Sequence, residues 1–436
     1  MTAKKNLVKI MLMSIATAAC VTFGACSGED DPVAPAREAR PAETPSAIPG
    51  AGAKTVLIYL AGGNDLAGVL KQNLQDCKEG SRHLRDNENL IVFARFHREG
   101  ESWVARLKNG EVTDSVSLSD LGIRSSDGVN RACDPGVMGG VMRYVFSKYP
   151  AKDGNYGLVF GSHGSGWLEK KEVPHNKYSR AICVDYGNKS FTKSNERWIN
   201  IPTLAGVLRE MPHLKFIMTD CCNMMCLENL YELRTTCDYL IGSPAEIPGK
   251  GAPYDLIVLD MFKDGDFYKT IIDKYFDSVR GTLPLVAVKT SEMENVAQAT
   301  RTALVAVKEN IGNGYADMKG MIHYYHSDDT RDKFFPEYNV FYDAGDFMHT
   351  YAPTDVYQQW RQAFDKAVIE RRMSTTWATD KHWDLKYFDF TVTAEKFHGV
   401  SMFVPQDPSR GDYAQLNDDI KFFEWYNATG LNILYN

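Results

Sequence analysis

The chain has 436 residues, 44% hydrophobic and 24% charged, with a formal net charge of −7. This is ordinary globular composition, with enough apolar material for a large core in one domain or two. The acidic balance argues against general nucleic-acid binding and leaves basic peptide segments as the natural counter-charge.

Lys4, Lys5 and Lys9 open the chain, and Ile10 to Ala25 is an apolar stretch too short for a comfortable membrane span. It ends Phe23-Gly24-Ala25-Cys26, followed by Ser27-Gly28-Glu29-Asp30-Asp31. This resembles a bacterial lipoprotein signal, in which Cys26 is lipidated and becomes the mature N-terminus. The acidic run after it is similar to the surface-export signal of Bacteroidetes lipoproteins. Cys20 is a second candidate with poorer flanks. Residues 1–25 are therefore expected to be a signal peptide and residues 26–52, rich in Pro, Ala, Glu and Gly, a disordered tether. The expected location is the outer membrane, at the cell surface, held only by the lipid.

From Lys54 the pattern turns globular. Thr55 to Leu60 reads as a buried strand, followed by the turn Ala61-Gly62-Gly63-Asn64-Asp65 and a helix over Leu66 to Gly80. Leu90 to Phe96 is a second strand. Trp103 to Leu107 and Glu111 to Leu118 alternate in period two and predict a hairpin around Asn109-Gly110. Pro135 to Lys148 predicts a helix, with Asp134 as its cap and Pro135 at its first position. Tyr156 to Phe160 is a strand, and residues 168–198 read as a long polar loop. Pro202 to Met211 and Leu227 to Thr236 predict helices; Phe216 to Met218 and Tyr239 to Ser243 predict strands. Strands alternating with helices imply a mostly parallel sheet covered on both faces. After about residue 260, helices are expected over Ile271 to Val279, Glu292 to Asn310 and Asp355 to Arg372. Strands are expected over Phe388 to Val392 and Val400 to Val404. The expected division is a core over 53–260 and a C-terminal subdomain over 261–436, packed on the core or extending it.

Two predicted strands run into Gly-Ser-His-Gly-Ser-Gly-Trp at 161–167 and Thr-Asp-Cys-Cys at 219–222. A histidine and a cysteine thus sit past the carboxyl ends of two strands, the edge where open α/β sheets bind ligands. A thiol needs a nearby imidazole to become a thiolate at neutral pH. Strand alternation puts Asp220 and Cys222 on one side and Cys221 on the other. One cysteine is then core and the other a candidate nucleophile. Of nine cysteines, seven lie beyond Cys26, an odd number that leaves at least one thiol unpaired. The Cys221-Cys222-x3-Cys226 cluster lacks a second pair at zinc-finger spacing.

Ser162-His163-Gly164-Ser165-Gly166-Trp167 resembles the His-Gly-x-Gly-Trp motif of the clostripain family of cysteine peptidases. Asp220-Cys221-Cys222-Asn223-Met224 to Glu228 is similar to its Asp-Ala-Cys-Leu-Met-Gly-x-x-Glu motif. Tyr59 to Leu66, Ser243 to Tyr254 and Gly399 to Pro405 resemble three further family segments, in order along the chain. The resemblance implies a caspase-like α/β/α sandwich with a mostly parallel central sheet and a C-terminal extension. It implies a cysteine endopeptidase with Cys222 as nucleophile and His163 as base, and with the N–H groups of Gly164 and Cys222 holding the oxyanion. It places Asp220 in an S1 pocket for Arg or Lys, where a carboxylate meets a cationic side chain in a charge-assisted pair. Glu246 is a second candidate acid there. Substrates are expected to be proteins or peptides with Arg or Lys at P1, and the enzyme a monomer.

The sequence departs from the pattern at Cys221 for alanine, Asn223 for leucine, Met225 for glycine, Gly63 for aspartate and Ala252 for tryptophan. Family members are often activated by cleavage between His and Cys at basic residues. The basic residues of the 168–198 loop make Lys177 and Arg180 the candidate processing sites. No EF-hand-like loop is present; Asp328-Asp329 and Asp343 with Asp346 are the remaining oxygen clusters, for which a turn or cap role is expected. No cofactor is implied; the family includes calcium-dependent members, so calcium binding is left open, but a required metal is not expected. The competing class is a binding lipoprotein that keeps the fold without turnover.

Overall fold

The computed structural model describes residues 53–98, 100, 102–125, 128–168, 181–192, 194–325, 340–377, 390–410 and 413–435. In chain order these form β1 (Lys54–Gly62), α1 (Ala67–Gly80), β2 (Glu88–Phe96), β3 (Trp103–Lys108), β4 (Glu111–Ser117), α2 (Pro135–Lys148) and β5 (Tyr156–Gly161). Next come β6 (Ile182–Asp185), β7 (Arg197–Ile199), α3 (Ile201–Arg209), β8 (Leu214–Asp220), α4 (Leu227–Glu232), β9 (Cys237–Gly242), α5 (Tyr254–Ile257) and α6 (Phe267–Ser278). The remainder is β10 (Leu285–Lys289), α7 (Met293–Ile311), β11 (Tyr342–Asp343), α8 (Ala344–Tyr351), α9 (Thr354–Ala367), β12 (Val368–Arg372), β13 (Ser401–Met402), α10 (Tyr413–Asp419) and α11 (Glu424–Thr429).

Among the described residues, nine strands form one sheet in the order β12-β10-β9-β8-β5-β1-β2-β3-β4. The middle five are parallel, and antiparallel strands extend both sides. Every residue of β1 is buried, as a central parallel strand requires. Its alternation serves two cores: Leu57, Tyr59 and Ala61 pack with α2, α3 and α7, while Val56, Ile58 and Leu60 pack with α1, α5 and α6. The result is a three-layer α/β/α sandwich. Since β10 and β12 join the same sheet, the chain beyond residue 260 extends the core.

Local chemistry accounts for the element ends. The Asp134 side chain accepts from Gly136 N and Val137 N at 2.9 and 3.0 Å, capping α2 behind Pro135. Asn109 and Gly110, at φ 55° and 82°, turn the β3–β4 hairpin in the left-handed pair that matches strand twist.

Four expectations need correction. The expected polar loop contains β6, whose Ile182, Cys183, Val184 and Asp185 are all buried. Asp185 carries it inward by pairing with Arg95 at 3.2 Å and accepting from Ala132 N and Gly187 N. The helix expected to Arg372 stops at Ala367, and the β-branched pair Val368-Ile369 starts the edge strand β12 instead. The helix expected over Leu227 to Thr236 ends at Glu232. Residues 390–392 form no strand; Phe390 stacks on Trp377 at 5.9 Å and meets His323, so its apolar character serves ring packing. Residues 388 and 389 lie outside the described residues, as do Cys26, Lys177, Arg180, Asp328 and Asp329. Asp343 caps α8 through Gly345 N and Asp346 N, and Asp346 accepts from Ile322 N. All seven described cysteines are free and buried. No helix among the described residues is long and apolar enough to cross a membrane.

One buried acid ties the C-terminal part to the rest. Glu228 of α4 is fully buried, and its Oε1 accepts from Phe403 N at 2.8 Å. Burial pushes its carboxyl up to about 7. Between an unfolded value near 4.5 and that folded value, the native state holds a proton the unfolded chain has released. Stability therefore falls as pH rises through this window, by about 3 kcal/mol once both states are ionised. Glu228→Gln is expected to flatten the drop in thermal midpoint between pH 5 and pH 8. An equally steep drop in the variant, measured by scanning calorimetry, would show that Glu228 is not its source.

Candidate active site

From β1 the chain steps to β2 on one side and later returns to β5 on the other. The carboxyl ends of β1 and β5 thus flank a switch point, where the sheet opens a crevice. Leu60, Gly161 and Asp220 align in register across β1, β5 and β8. The segments that follow carry Asp65, His163 and Cys222, so three adjacent parallel strands deliver an acid, an imidazole and a thiol to one edge.

Two glycines let the last two segments meet. A Cβ on Gly164 would lie 2.8 Å from the Cys222 carbonyl oxygen and 2.9 Å from the Cys221 Cβ. Gly166, at φ 61°, would put a Cβ 2.8 Å from the Asn223 carbonyl. Only glycine permits this approach. Asn223 itself sits at φ 59°, a left-handed position that asparagine adopts more readily than most residues. Trp167 anchors the segment: it is fully buried against Phe403 and Phe423, and its Nε1 donates to the Val340 carbonyl at 3.4 Å.

Cys221 and Cys222 fall on opposite faces of the sheet, in different cores. Cys221 Sγ bonds the Phe160 carbonyl at 3.5 Å, and burial pushes its thiol well above the ordinary range. Cys222 Sγ instead accepts from Ile247 N at 3.3 Å. An N–H aimed at sulfur stabilises negative charge there. The N–H groups of Gly164 and Cys222 have no acceptor among the described residues. The Gly164–Ile182 bridge is built from Ser165 N to Ala181 O and Cys183 N to His163 O, leaving the Gly164 N–H outside it.

His163 is 8% exposed, and its Nε2 lies 2.7 Å from Asp65 Oδ1. Burial pushes the Asp65 carboxyl up, but the hydrogen bond and charge of His163 outweigh this and hold it below its ordinary value. Asn64 fixes the turn that presents Asp65: its Nδ2 donates to Ala61 O and Val184 O at 3.0 and 2.8 Å, and its Oδ1 accepts from Leu66 N. Gly63 is also explained, because the Asp185 carboxylate occupies the space a side chain would need, 2.2 Å from a built Cβ. Asp65 is the residue that reading the sequence missed. Its signal is an acid in a turn that leaves the same sheet edge as His163. Among the described residues no hydrogen bond joins His163 to Cys222.

A cleft of about 300 Å³ opens between Leu66 with α1, through Leu70 and Asn73, and the segment after β9, through Ile247, Pro248 and Gly251. Asp220 and Cys222 line it; His163 stands outside the lining. Asp220 Oδ2 accepts from Ala252 N at 2.9 Å and Tyr254 OH at 3.0 Å, and Oδ1 from Tyr275 OH at 2.8 Å. Burial pushes its carboxyl up against the pull of these donors. Glu246 is buried but does not line the cleft.

The model of the clostripain family matches residues 58–425 of the chain. The chain belongs to the clostripain family of cysteine peptidases. A secreted clostripain-family protease from Bacteroides thetaiotaomicron, solved with an irreversible peptide inhibitor, is 25% identical with a TM-score of 0.67. The match covers 87% of this chain and 99% of that one. An inactive zymogen protease of the family from Parabacteroides distasonis is 26% identical with a TM-score of 0.67, over 88% and 99% of the two chains. No curated protein matches. This clostripain-family chain is therefore a cysteine endopeptidase with a caspase-like sandwich, acting on proteins or peptides. Its family cleaves after basic residues through a Cys/His mechanism.

Proposed function

We propose that Cys222, His163 and Asp65 perform the hydrolysis and that the cleft holding Asp220 receives the basic P1 side chain. The observation that carries this is the delivery of all three groups, with the cleft, by adjacent parallel strands to one sheet edge. Nε2 of His163 donates to Asp65, which leaves Nδ1 to exchange protons. Cys222 Sγ gives its proton to Nδ1 and attacks the scissile carbonyl, forming a C–S bond. The oxyanion is held by the N–H groups of Gly164 and Cys222. Nδ1 then protonates the leaving amine as the C–N bond breaks, and water hydrolyses the thioester to restore the thiol. Among the described residues His163 and Cys222 share no hydrogen bond; substrate binding is the step that tightens such a pair.

The same reading includes processing. Arg180 immediately precedes Ala181, whose carbonyl accepts from Ser165 N at 2.9 Å beside His163. A cut after Arg180 would leave Ala181 as a new N-terminus in the segment whose backbone pairs with Ser165 and His163; Lys177 is the second candidate. The chain is further proposed to be a monomer, exported by residues 1–25 and anchored by a lipid on Cys26 through the 26–52 tether. One preparation tests catalysis and processing together. Purified wild type is expected to hydrolyse fluorogenic peptides ending in Arg or Lys and to show a new N-terminus at Tyr178 or Ala181, while Cys222→Ala stays a single inert chain. No turnover before or after trypsin nicking sinks the catalytic reading; an intact, fully active wild type sinks the processing.

A further inference from the structure

Asn73 of α1 is 1% exposed and lines the cleft beside Asp220 and Cys222. Its Nδ2 donates to the Lys250 carbonyl at 3.0 Å, which fixes the orientation of the amide. Its Oδ1 is buried and accepts nothing. A buried acceptor left without a protein donor costs free energy, so its retention beside the cleft points to a partner that arrives there. The oxygen points toward Gly251: a Cβ built there would lie 3.4 Å from Asn73 Oδ1 and 2.6 Å from Asp220 Oδ2. Gly251, at φ 64°, thereby keeps the space between the two acceptors open.

Asp220 alone is a limited receptor. Two donors already occupy Oδ2 and one occupies Oδ1, so of roughly four lone-pair positions on a carboxylate one remains. A guanidinium brings five N–H donors spread over a plane, more than that single position can satisfy. Building on the reading of this cleft as the P1 site, we infer that Asn73 is a specificity-determining residue. Its side-chain oxygen accepts from the P1 guanidinium while Asp220 supplies the charge. Two acceptors set apart suit the spread donors of arginine better than the compact ammonium of lysine, so Asn73 selects Arg over Lys.

The test compares kcat/KM on three peptides that differ only at P1: Arg, Lys and norleucine. Asn73→Leu is expected to lower the Arg value about ten- to a hundred-fold relative to norleucine, the worth of one hydrogen bond to a charged donor. The Arg to Lys ratio should shrink with it. Asn73→Asp keeps an oxygen in place and adds charge, and should hold or raise the Arg to norleucine ratio. A purely structural role, through the Lys250 bond, would depress all three peptides equally in both variants, and equal loss overturns the inference. Should Asn73→Leu fail to fold, Asn73→Asp decides alone, since a fall in its Arg to norleucine ratio is then the overturning result. A wild type that turns over none of the basic peptides instead overturns the P1 reading beneath it.

Discussion

Cys222→Ala is expected to remove hydrolysis of Arg and Lys peptides down to the background rate, while Cys221→Ala keeps it within several-fold of wild type. The two thiols are neighbours in sequence and differ only in which face of the sheet they occupy. Cys222 lines the cleft, has an N–H aimed at its sulfur and lies in the segment packed on Gly164. Cys221 is bonded to the Phe160 carbonyl, and burial keeps its thiol protonated. Losing a nucleophile removes the covalent route altogether, which in comparable hydrolases costs on the order of a million-fold in kcat. A peptide carrying a thiol-reactive electrophile, followed by mass spectrometry, should label Cys222 and leave Cys221 unmodified. Full activity in Cys222→Ala, or labelling at Cys221, would reverse the assignment.

The second large effect belongs to Asp65. Asp65→Ala removes the acceptor on Nε2, so the imidazole loses its orientation and its preferred tautomer. Asp65→Asn should be worse, because an amide NH2 can donate to Nε2 and push the proton onto Nδ1, the atom the reaction needs unprotonated. A buried aspartate in the equivalent place of a serine protease is worth about 10⁴ in kcat. The Asp65 side chain is 54% exposed, so solvent competes, and the expected loss is about 10–10². The loss should fall on kcat with KM nearly unchanged, since Asp65 is a positioning residue that does not line the cleft. Equal kcat in wild type and both variants, or a loss confined to KM, counts against the role.

Much of the fold is legible in the sequence where burial imposes one pattern. The apolar runs of β1, β2 and β5 need no partner to be recognised, and Asp134-Pro135 announces α2 by its own hydrogen bonds. Legibility fails where a partner decides. Val368 to Arg372 continues a helical pattern, and its β-branched start becomes a strand where β10 offers an edge to pair with. Asp185 looks like one more polar loop residue until Arg95, from a strand ninety residues earlier, is placed beside it. At the site, His163 and Cys222 announce themselves through small residues and strand ends. Asn73 does not, because on a helix surface it is an ordinary polar residue. Only the arrival of the segment after β9 buries it and leaves its oxygen empty.

The parallel strands have a consequence for where this enzyme works. Lys54 opens β1 at one rim of the sheet, while the thiol, the imidazole and the cleft sit at the other. The nine residues of β1 separate the two rims by roughly 30 Å. The chain therefore enters the sheet at the rim opposite its catalytic groups. With the anchor proposed at Cys26 and the 26–52 tether between, attachment and catalysis fall on opposite rims of one sheet.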